Sequence, residues 1–239
     1  MVTTSLAVDC VDGRHRVRMR HGLLRAQRLH GPPELARVAL VGQTALLLGG
    51  DEVELQIAVG PGATLELSEV AATVAYDGRG AAAGWTTTIR LEAGARLVWA
   101  GEPFVIADGA DVTRRTSVEL ADDATAVLRE TLVLGRSAER GGRLRTTSLV
   151  RRAGRPVLHE ELWLDPADRD RPGLLGDVRV LDSLLVLGCD PAEPEQETAA
   201  GAVRFRLVDP RDTLTRFLGR EVAESPLRRP RARPAMLLG

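Results

Sequence analysis

The stretch VELQIAVGPGATLELS, residues 53–68, decides the fold of this chain. Its first part, Val53–Val59, alternates apolar and polar residues, which is the pattern of a half-buried β-strand. Gly60-Pro61-Gly62 then breaks the strand, because Pro fixes φ and Gly accepts a positive φ. The alternation resumes in Ala63–Ser68. The sequence therefore predicts a strand, a tight turn and a second strand.

The same unit recurs twice further along the chain. IAVGPGATLEL, residues 57–67, resembles IRLEAGARLVW, residues 89–99, and more weakly VELADDATAVL, residues 118–128. The alanines that align are Ala63, Ala95 and Ala124, with spacings of 32 and 29 residues. A repeat of about 30 residues indicates stacked β rungs rather than a closed enzyme pocket.

The rest of the chain is also predicted to be mainly β-strand. Further strands are expected at 143–152 and 157–164, and an apolar run follows at 178–187. The predicted fold class is all-β, with stacked, β-helix-like sheets and one or two C-terminal helices. Residues 1–224 are predicted to form a single β domain with a C-terminal helical part, and residues 225–239 an Arg- and Pro-rich mobile tail.

The C-terminal helix is predicted from its start signal and its apolar spacing. Asp209 is suited to the N-cap and Pro210 to the first helical position. One apolar face would then be formed at spacings of three and four by Leu214, Phe217, Leu218 and Val222.

Composition excludes several kinds of chemistry. All 32 basic residues are Arg, so lysine Schiff bases and the P-loop lysine are absent. Cys10 and Cys189 do not have a CxxC spacing, and the chain contains no GxxxxGK[ST], GxSxG or HExxH motif. Neither a signal peptide nor an apolar run of ~18–20 residues is visible, which predicts a cytoplasmic protein without a membrane segment.

Two groups of polar residues could be read as metal sites. His15, His21 and His30, with Cys10, supply ligand types for nickel or zinc, but their spacings match no compact motif. Solvated strand faces are the favoured interpretation. The four aspartates of a second group are interleaved with arginines, which favours a salt-bridged surface loop: Asp165, Asp168, Asp170 and Asp177.

Catalysis and nucleic-acid binding have weaker support. His159 and Glu161 would share one face of a strand, but no nucleophile is placed beside them, so an enzyme is not expected. The basic stretches 14–28 and 228–233 could contact phosphates, but no aromatic residues interleave with them. Nucleic acid is therefore not an expected partner.

Four short motifs then follow one another along the middle of the chain. An apolar strand is followed by Gly49-Gly50-Asp51, and next come AATVAY at 71–76 and LVWAGEP at 97–103. The last is ETLVLGR at 130–136. In this order, over about residues 37–164, the motifs resemble the UreD (UreH) family of urease accessory proteins, as a divergent member.

The resemblance implies a function as well as a fold. It implies an all-β scaffold that binds UreF-like and UreG-like accessory proteins and apo-urease, and that supports nickel insertion into urease as a chaperone. No cofactor would be bound permanently, nickel would be in transit, and GTP would enter only through the partner GTPase. The alternative is a β-rich protein–protein interaction module with no role in metal delivery.

The resemblance also supplies candidate site residues. Gly49 and Gly50 would permit a sharp turn at which Asp51 accepts backbone N–H groups. Glu130 and Arg136 would pair across a turn or line a polar passage. Further residues are expected in partner-binding or structural motifs: Thr73, Tyr76, Trp99, Pro103, Gly135, Leu214, Phe217 and Leu218. The expected transient nickel path consists of Asp51, Glu102 and Glu130.

Overall fold

The computed structural model describes residues 3–169, 171, 173–189 and 201–228. In this part of the chain the strands are β1 Thr4–Val11, β2 Arg14–Arg20, β3 Leu24–Arg28, β4 Ala36–Gly42, β5 Glu52–Val59, β6 Thr64–Glu69, β7 Thr73–Ala75, β8 Ala83–Leu91, β9 Arg96–Ala100, β10 Phe104–Ile106, β11 Asp111–Leu120, β12 Thr125–Leu134, β13 Arg143–Arg152, β14 Arg155–Leu164, β15 Val180–Leu187, β16 Ala202–Arg206 and β17 Thr213–Gly219. Two single 3-10 turns follow the last of these strands, at Val222–Glu224 and Pro226–Arg228. No helix among the described residues is long and apolar enough to cross a membrane.

Within these residues the strands form two facing sheets. The first has seven strands in the order β14-β13-β11-β8-β5-β1-β2. The second has ten, of which eight run in the order β16-β17-β15-β12-β9-β6-β4-β3, while β10 joins β12 to β7. The middle of both sheets is parallel, and antiparallel pairs such as β1–β2 and β12–β15 close the margins.

The parallel middle is the stack of rungs that the repeat predicts. The chain crosses from one sheet to the other at each turn, so equivalent residues of successive rungs become neighbours in one sheet. One such row lies in the seven-stranded sheet, and each of its side chains is at most 2% exposed: Ile57, Ile89, Val118 and Val150. Burial of these side chains on the inner face is the main stabilising term of each rung.

The three aligned alanines mark the same turn in each rung. The N–H of Ala63 donates to the carbonyl of Gly60 at 3.1 Å, and the equivalent bonds start from Ala95 at 2.9 Å and Ala124 at 3.2 Å. All three alanines have no exposed surface. The repeat is therefore set by the turn as much as by the strands, because the space under each turn holds only a methyl group.

The helix predicted near the end of the chain is wrong, because this segment is strand β17. It pairs antiparallel with β15, and Leu214 and Phe217 lie three residues apart on opposite faces of the strand. The predicted apolar face therefore does not exist: Leu214 and Phe217 are buried, whereas Leu218 is exposed. The free edge of β15 and the β-branched Thr213 and Thr215 favour the strand over the helix.

Residues 225–228, predicted as the start of a mobile tail, lie against the sheet. Ser225 is buried, and its hydroxyl donates to Oδ2 of Asp182 at 2.5 Å. The remainder of the predicted tail, 229–239, lies outside the described residues.

Candidate functional site

One end of the space between the two sheets is polar. A cavity of about 60 Å³ lies there, with room for roughly four water molecules. Its charged lining consists of Glu69, Glu102, Glu130, Arg114 and Arg129. A large cluster of buried apolar side chains fills much of the interior between the sheets.

Strand alternation brings three of these side chains inside. Glu69 ends β6, where Leu65 and Leu67 already face the core. Arg114 in β11 and Glu130 in β12 occupy inward positions of the two opposed sheets in the same way. A charged residue at an inward position therefore turns the end of each rung from apolar to polar.

Glu69 is held by two N–H donors. Nε1 of Trp99 donates to Oε1 at 3.1 Å, and the backbone N–H of Glu102 donates to Oε2 at 3.3 Å. Burial raises the pKa of the Glu69 carboxyl above its ordinary value of 4.5, while the charge of Arg114 opposes that shift. Glu69 is thus an acceptor with a fixed orientation at the wall of the cavity.

Arg114 is the buried cation of the site. Its Nε lies 2.7 Å from Oε1 of Glu130. Its guanidinium carbon also lies 4.6 Å from the ring centre of Phe104 and 5.5 Å from that of Trp85. The two rings meet edge to face at 89°, so the guanidinium is held by one carboxylate and two aromatic faces.

A second cavity adjoins the first. Its volume is about 280 Å³, and it shares Glu69, Thr73 and Trp85 with its neighbour. Tyr76 and the exposed Val70 lie along its lining. Glu69 consequently stands at the junction between the small cavity, which has several charged residues in its lining, and the larger one.

The structure gathers several of the predicted residues here. Glu102 and Glu130, both predicted for the nickel path, line the first cavity together with Thr73 and Trp99. Pro103 lies at its edge, where its carbonyl accepts the N–H of Thr73 at 3.0 Å. Trp99 is buried, packs in the core and orients Glu69 through its indole N–H.

Asp51 is placed elsewhere, outside the lining of both cavities. Its Oδ2 accepts the N–H of Leu48 at 3.0 Å, as expected for a turn. A Cβ on Gly49 would come within 2.6 Å of the carbonyl oxygen of Gly78, and Gly50 has φ +90°. Gly49, Gly50 and Asp51 therefore shape a loop.

Glu130 and Arg136 were expected to pair across a turn or to line a polar passage. The pair does not form, because Glu130 forms an ion pair with Arg114 instead, whereas Glu130 does lie in the lining of the first cavity. Arg136 donates from Nε to Oε1 of Glu139 at 2.8 Å, and the N–H groups of Asp108 and Arg136 donate to Oε2 of Glu139. These bonds lower the pKa of Glu139 to about 2, with the Arg136 side chain as the main cause. Gly135, at φ +87°, permits this turn.

The remaining polar groups are occupied in structural contacts. Nε2 of His15 accepts the N–H of Thr64 at 2.8 Å, while Nδ1 lies 3.0 Å from the carbonyl oxygen of Pro33, which makes this buried ring a crosslink. His15 is thus not on a solvated face as expected. Among the described residues, no three His, Cys, Asp or Glu side chains are grouped so as to hold a metal ion.

The aspartate loop and the His159–Glu161 pair lie outside the cavity. Asp168 pairs with Arg171 at 3.1 Å, as a salt-bridged loop requires, and Asp177 pairs with Arg220. Asp170 lies outside the described residues. His159 and Glu161 are 3.9 Å apart and exposed on the outer side of β14.

Sequence reasoning missed Glu69, Trp85 and Arg114. A usable signal was present for Glu69 and Arg114, because each is a charged residue at an inward position of an otherwise regular alternation. Trp85 carried no comparable signal, since an inward aromatic residue is also ordinary core.

Comparison with known proteins gives one consistent result. The family model for the UreD urease accessory protein matches residues 3–227. The chain is 47% identical over 178 residues to a protein named urease accessory protein UreD 1 of Streptomyces griseus, covering 72% of this chain and 70% of that protein. It is 38% identical over 204 residues to the urease accessory protein UreD of Frankia alni, covering 75% of this chain and 67% of that protein.

Proposed function

This chain belongs to the UreD family of urease accessory proteins, and we propose that it is a non-enzymatic scaffold and chaperone for nickel insertion into urease. The observation that carries the proposal is that Glu69, Glu102 and Glu130 line one cavity between the two sheets, without forming a closed set of metal ligands. Family membership supports the role in urease maturation, and the glutamates of the cavity support the proposal that the metal passes there.

The chemistry of the cavity suits a metal in transit. Carboxylate oxygens and water exchange at a cation more readily than a closed set of thiolates and imidazoles. Glu102 and Glu130 would pass Ni²⁺ along the cavity as cargo, and Glu69 extends the same wall toward the larger cavity. Asp51 is left out of this path, because its carboxylate is bonded within its own loop.

The proposed partners would supply the GTP hydrolysis for which this chain has no motif. It has neither a P-loop motif nor any lysine, so GTP hydrolysis would belong to a UreG-like partner. We propose that the complex also contains a UreF-like protein and apo-urease and that it assembles in the cytoplasm. The stacked sheets would hold these partners in a fixed relative position.

The experiment is co-expression of this chain with urease subunits and the other accessory proteins. The measurements are the nickel content of purified urease and co-purification of the partners. Glu102→Gln with Glu130→Gln is expected to lower urease nickel content several-fold while the partners still co-purify. Glu161→Gln, a carboxylate exposed on the outer face, serves as the matched control and should leave nickel content unchanged.

Two results would count against the proposal. If urease were fully loaded with nickel when this chain is omitted, the maturation role would be lost. If the cavity variants loaded urease as well as the wild type, the chain would be an interaction module without a role in metal delivery.

A further inference from the structure

The polar cavity already contains a cation that belongs to the protein. The guanidinium of Arg114 lies against Glu130, with Nε 2.7 Å from Oε1, and its side chain is about one-tenth exposed. Its charge also acts on Glu69, on the opposite side of the cavity.

We propose that Arg114 is an internal competitor for metal ions, which a divalent cation must displace from Glu130 in order to pass. This inference rests on the proposed function, because it describes how the same cavity handles its cargo. Arg114 would be a positioning and selectivity residue, since it acts on the metal through the carboxylate that both cations share.

The surroundings of Arg114 explain how displacement is feasible. The ring faces of Phe104 and Trp85 lie 4.6 and 5.5 Å from the guanidinium carbon. Such faces attract a cation in a desolvated site. The guanidinium that leaves Glu130 therefore keeps a favourable contact inside the cavity, whereas a neutral side chain in its place would not.

The competition has a consequence for affinity. Two carboxylates facing an empty cavity would attract a divalent cation strongly, because buried charges are poorly screened. With Arg114 in place, the guanidinium already neutralises Glu130, and an incoming divalent cation must displace it from that carboxylate. Binding is weakened and release is made easier, which is what a carrier of cargo needs and a storage site does not.

The test measures Ni²⁺ binding by the purified full-length chain, by equilibrium dialysis and by quenching of tryptophan fluorescence. Trp85 and Trp99 both line the cavity, so a paramagnetic ion there would quench them. Arg114→Met is expected to bind Ni²⁺ at least about tenfold more tightly than the wild type, and the double variant with Glu130→Gln should lose that gain.

Arg216→Met is the matched control. Arg216 donates to both carboxylate oxygens of Glu160 at 2.8 Å, so it is a partly buried pair of the same kind, but it lies outside the cavity lining. Its removal should leave Ni²⁺ affinity unchanged. Unchanged or weaker binding by Arg114→Met, or an equal gain in Arg216→Met, would overturn the inference.

A second variant keeps the test decisive if Arg114→Met does not fold. Glu130→Gln keeps the size of the side chain but leaves the guanidinium of Arg114 without its carboxylate, so its folding is checked by circular dichroism. This variant is expected to weaken Ni²⁺ binding several-fold, because metal and guanidinium share the Glu130 carboxylate. Wild-type affinity in a folded Glu130→Gln would refute the shared site. The proposed function is tested separately, by the nickel content of co-expressed urease, so a failure of the Arg114→Met binding test would leave that measurement standing.

Discussion

Arg152 and Asp212 form a buried ion pair that joins the two sheets, with Nη2 2.7 Å from Oδ1. Arg152 ends β13 in the seven-stranded sheet, and Asp212 immediately precedes β17 in the other. Nη1 of Arg152 also donates to the carbonyl of Asp122 at 3.0 Å, and the N–H of Gly188 donates to Asp212 at 2.7 Å. The pair therefore fixes the last strands onto the stacked rungs.

Asp212→Asn is expected to destabilise the protein by about 3–5 kcal/mol, because it leaves the guanidinium of Arg152 buried without a counter-charge. Urea denaturation measures this loss. Asp209→Asn, which removes one partner of the neighbouring and more exposed Asp209–Arg211 pair, should leave the free energy of unfolding close to that of the wild type. Equal losses in the two variants would show that the buried Arg152–Asp212 pair contributes no more to stability than an exposed ion pair.

Ile89→Ala is expected to cost about 2–5 kcal/mol, since it opens a void in the middle of the buried row of rungs. The free energy of unfolding in urea is the measurement. Thr88→Ala, on the exposed face of the same strand, is the control and should change stability by less than about 1 kcal/mol. A small effect at Ile89 would contradict the stacked-rung description of the core.

Gly49→Ala is expected to displace the loop that contains Asp51. The new Cβ would come within 2.6 Å of the carbonyl oxygen of Gly78, and backbone cannot move aside as a flexible side chain does. A loss of about 1–3 kcal/mol and a lower melting temperature should follow. Thr44→Ala, an exposed change nearby, should melt like the wild type; if both variants melted alike, the contact would not be tight.

The Glu139 carboxyl should give a pH-dependent contribution to stability. Its pKa falls from 4.5 to about 2 on folding, so the contribution is complete above about pH 4.5 and disappears as pH falls through 2. The stability difference between the wild type and Glu139→Gln should therefore be largest near neutral pH and shrink in acid. Thermal melting between pH 7 and pH 2.5 measures it.

Arg136→Gln provides the check on the cause of that shift. The Arg136 side chain is the main reason for the low pKa of Glu139. Its removal should flatten the acid dependence in the same range as Glu139→Gln does. An unchanged pH profile in Arg136→Gln would mean that the backbone donors alone hold the carboxylate.

The stacked core could be predicted from the sequence, because its cause is local. Alternation in Val53–Val59 and the repeated turn before Ala63, Ala95 and Ala124 are confirmed as strands and turns of successive rungs. The prediction for the C-terminal segment failed because the cause of its structure is not local. Its apolar residues at 214, 217 and 218 have the spacing of a helix rather than of an alternating strand, and pairing with the free edge of β15 overrode that local pattern.

The candidate site was predicted in part. Glu102 and Glu130 were found through the motifs, whereas Glu69 and Arg114 were not, although both stand at inward positions of their strands. The partner of Glu130 could not be identified from sequence, because Arg114 comes from the opposite sheet and several arginines were equally available.

The sequence by itself determined that this chain forms β rungs of about 30 residues, because side-chain alternation and turn geometry act between residues close in the chain. Only the tertiary structure decided which charges meet inside: that Arg114 faces Glu130, that Arg152 reaches Asp212, and that Asp51 stays in its loop. Those contacts depend on how two sheets are placed against each other, and alternation within one strand does not fix that placement.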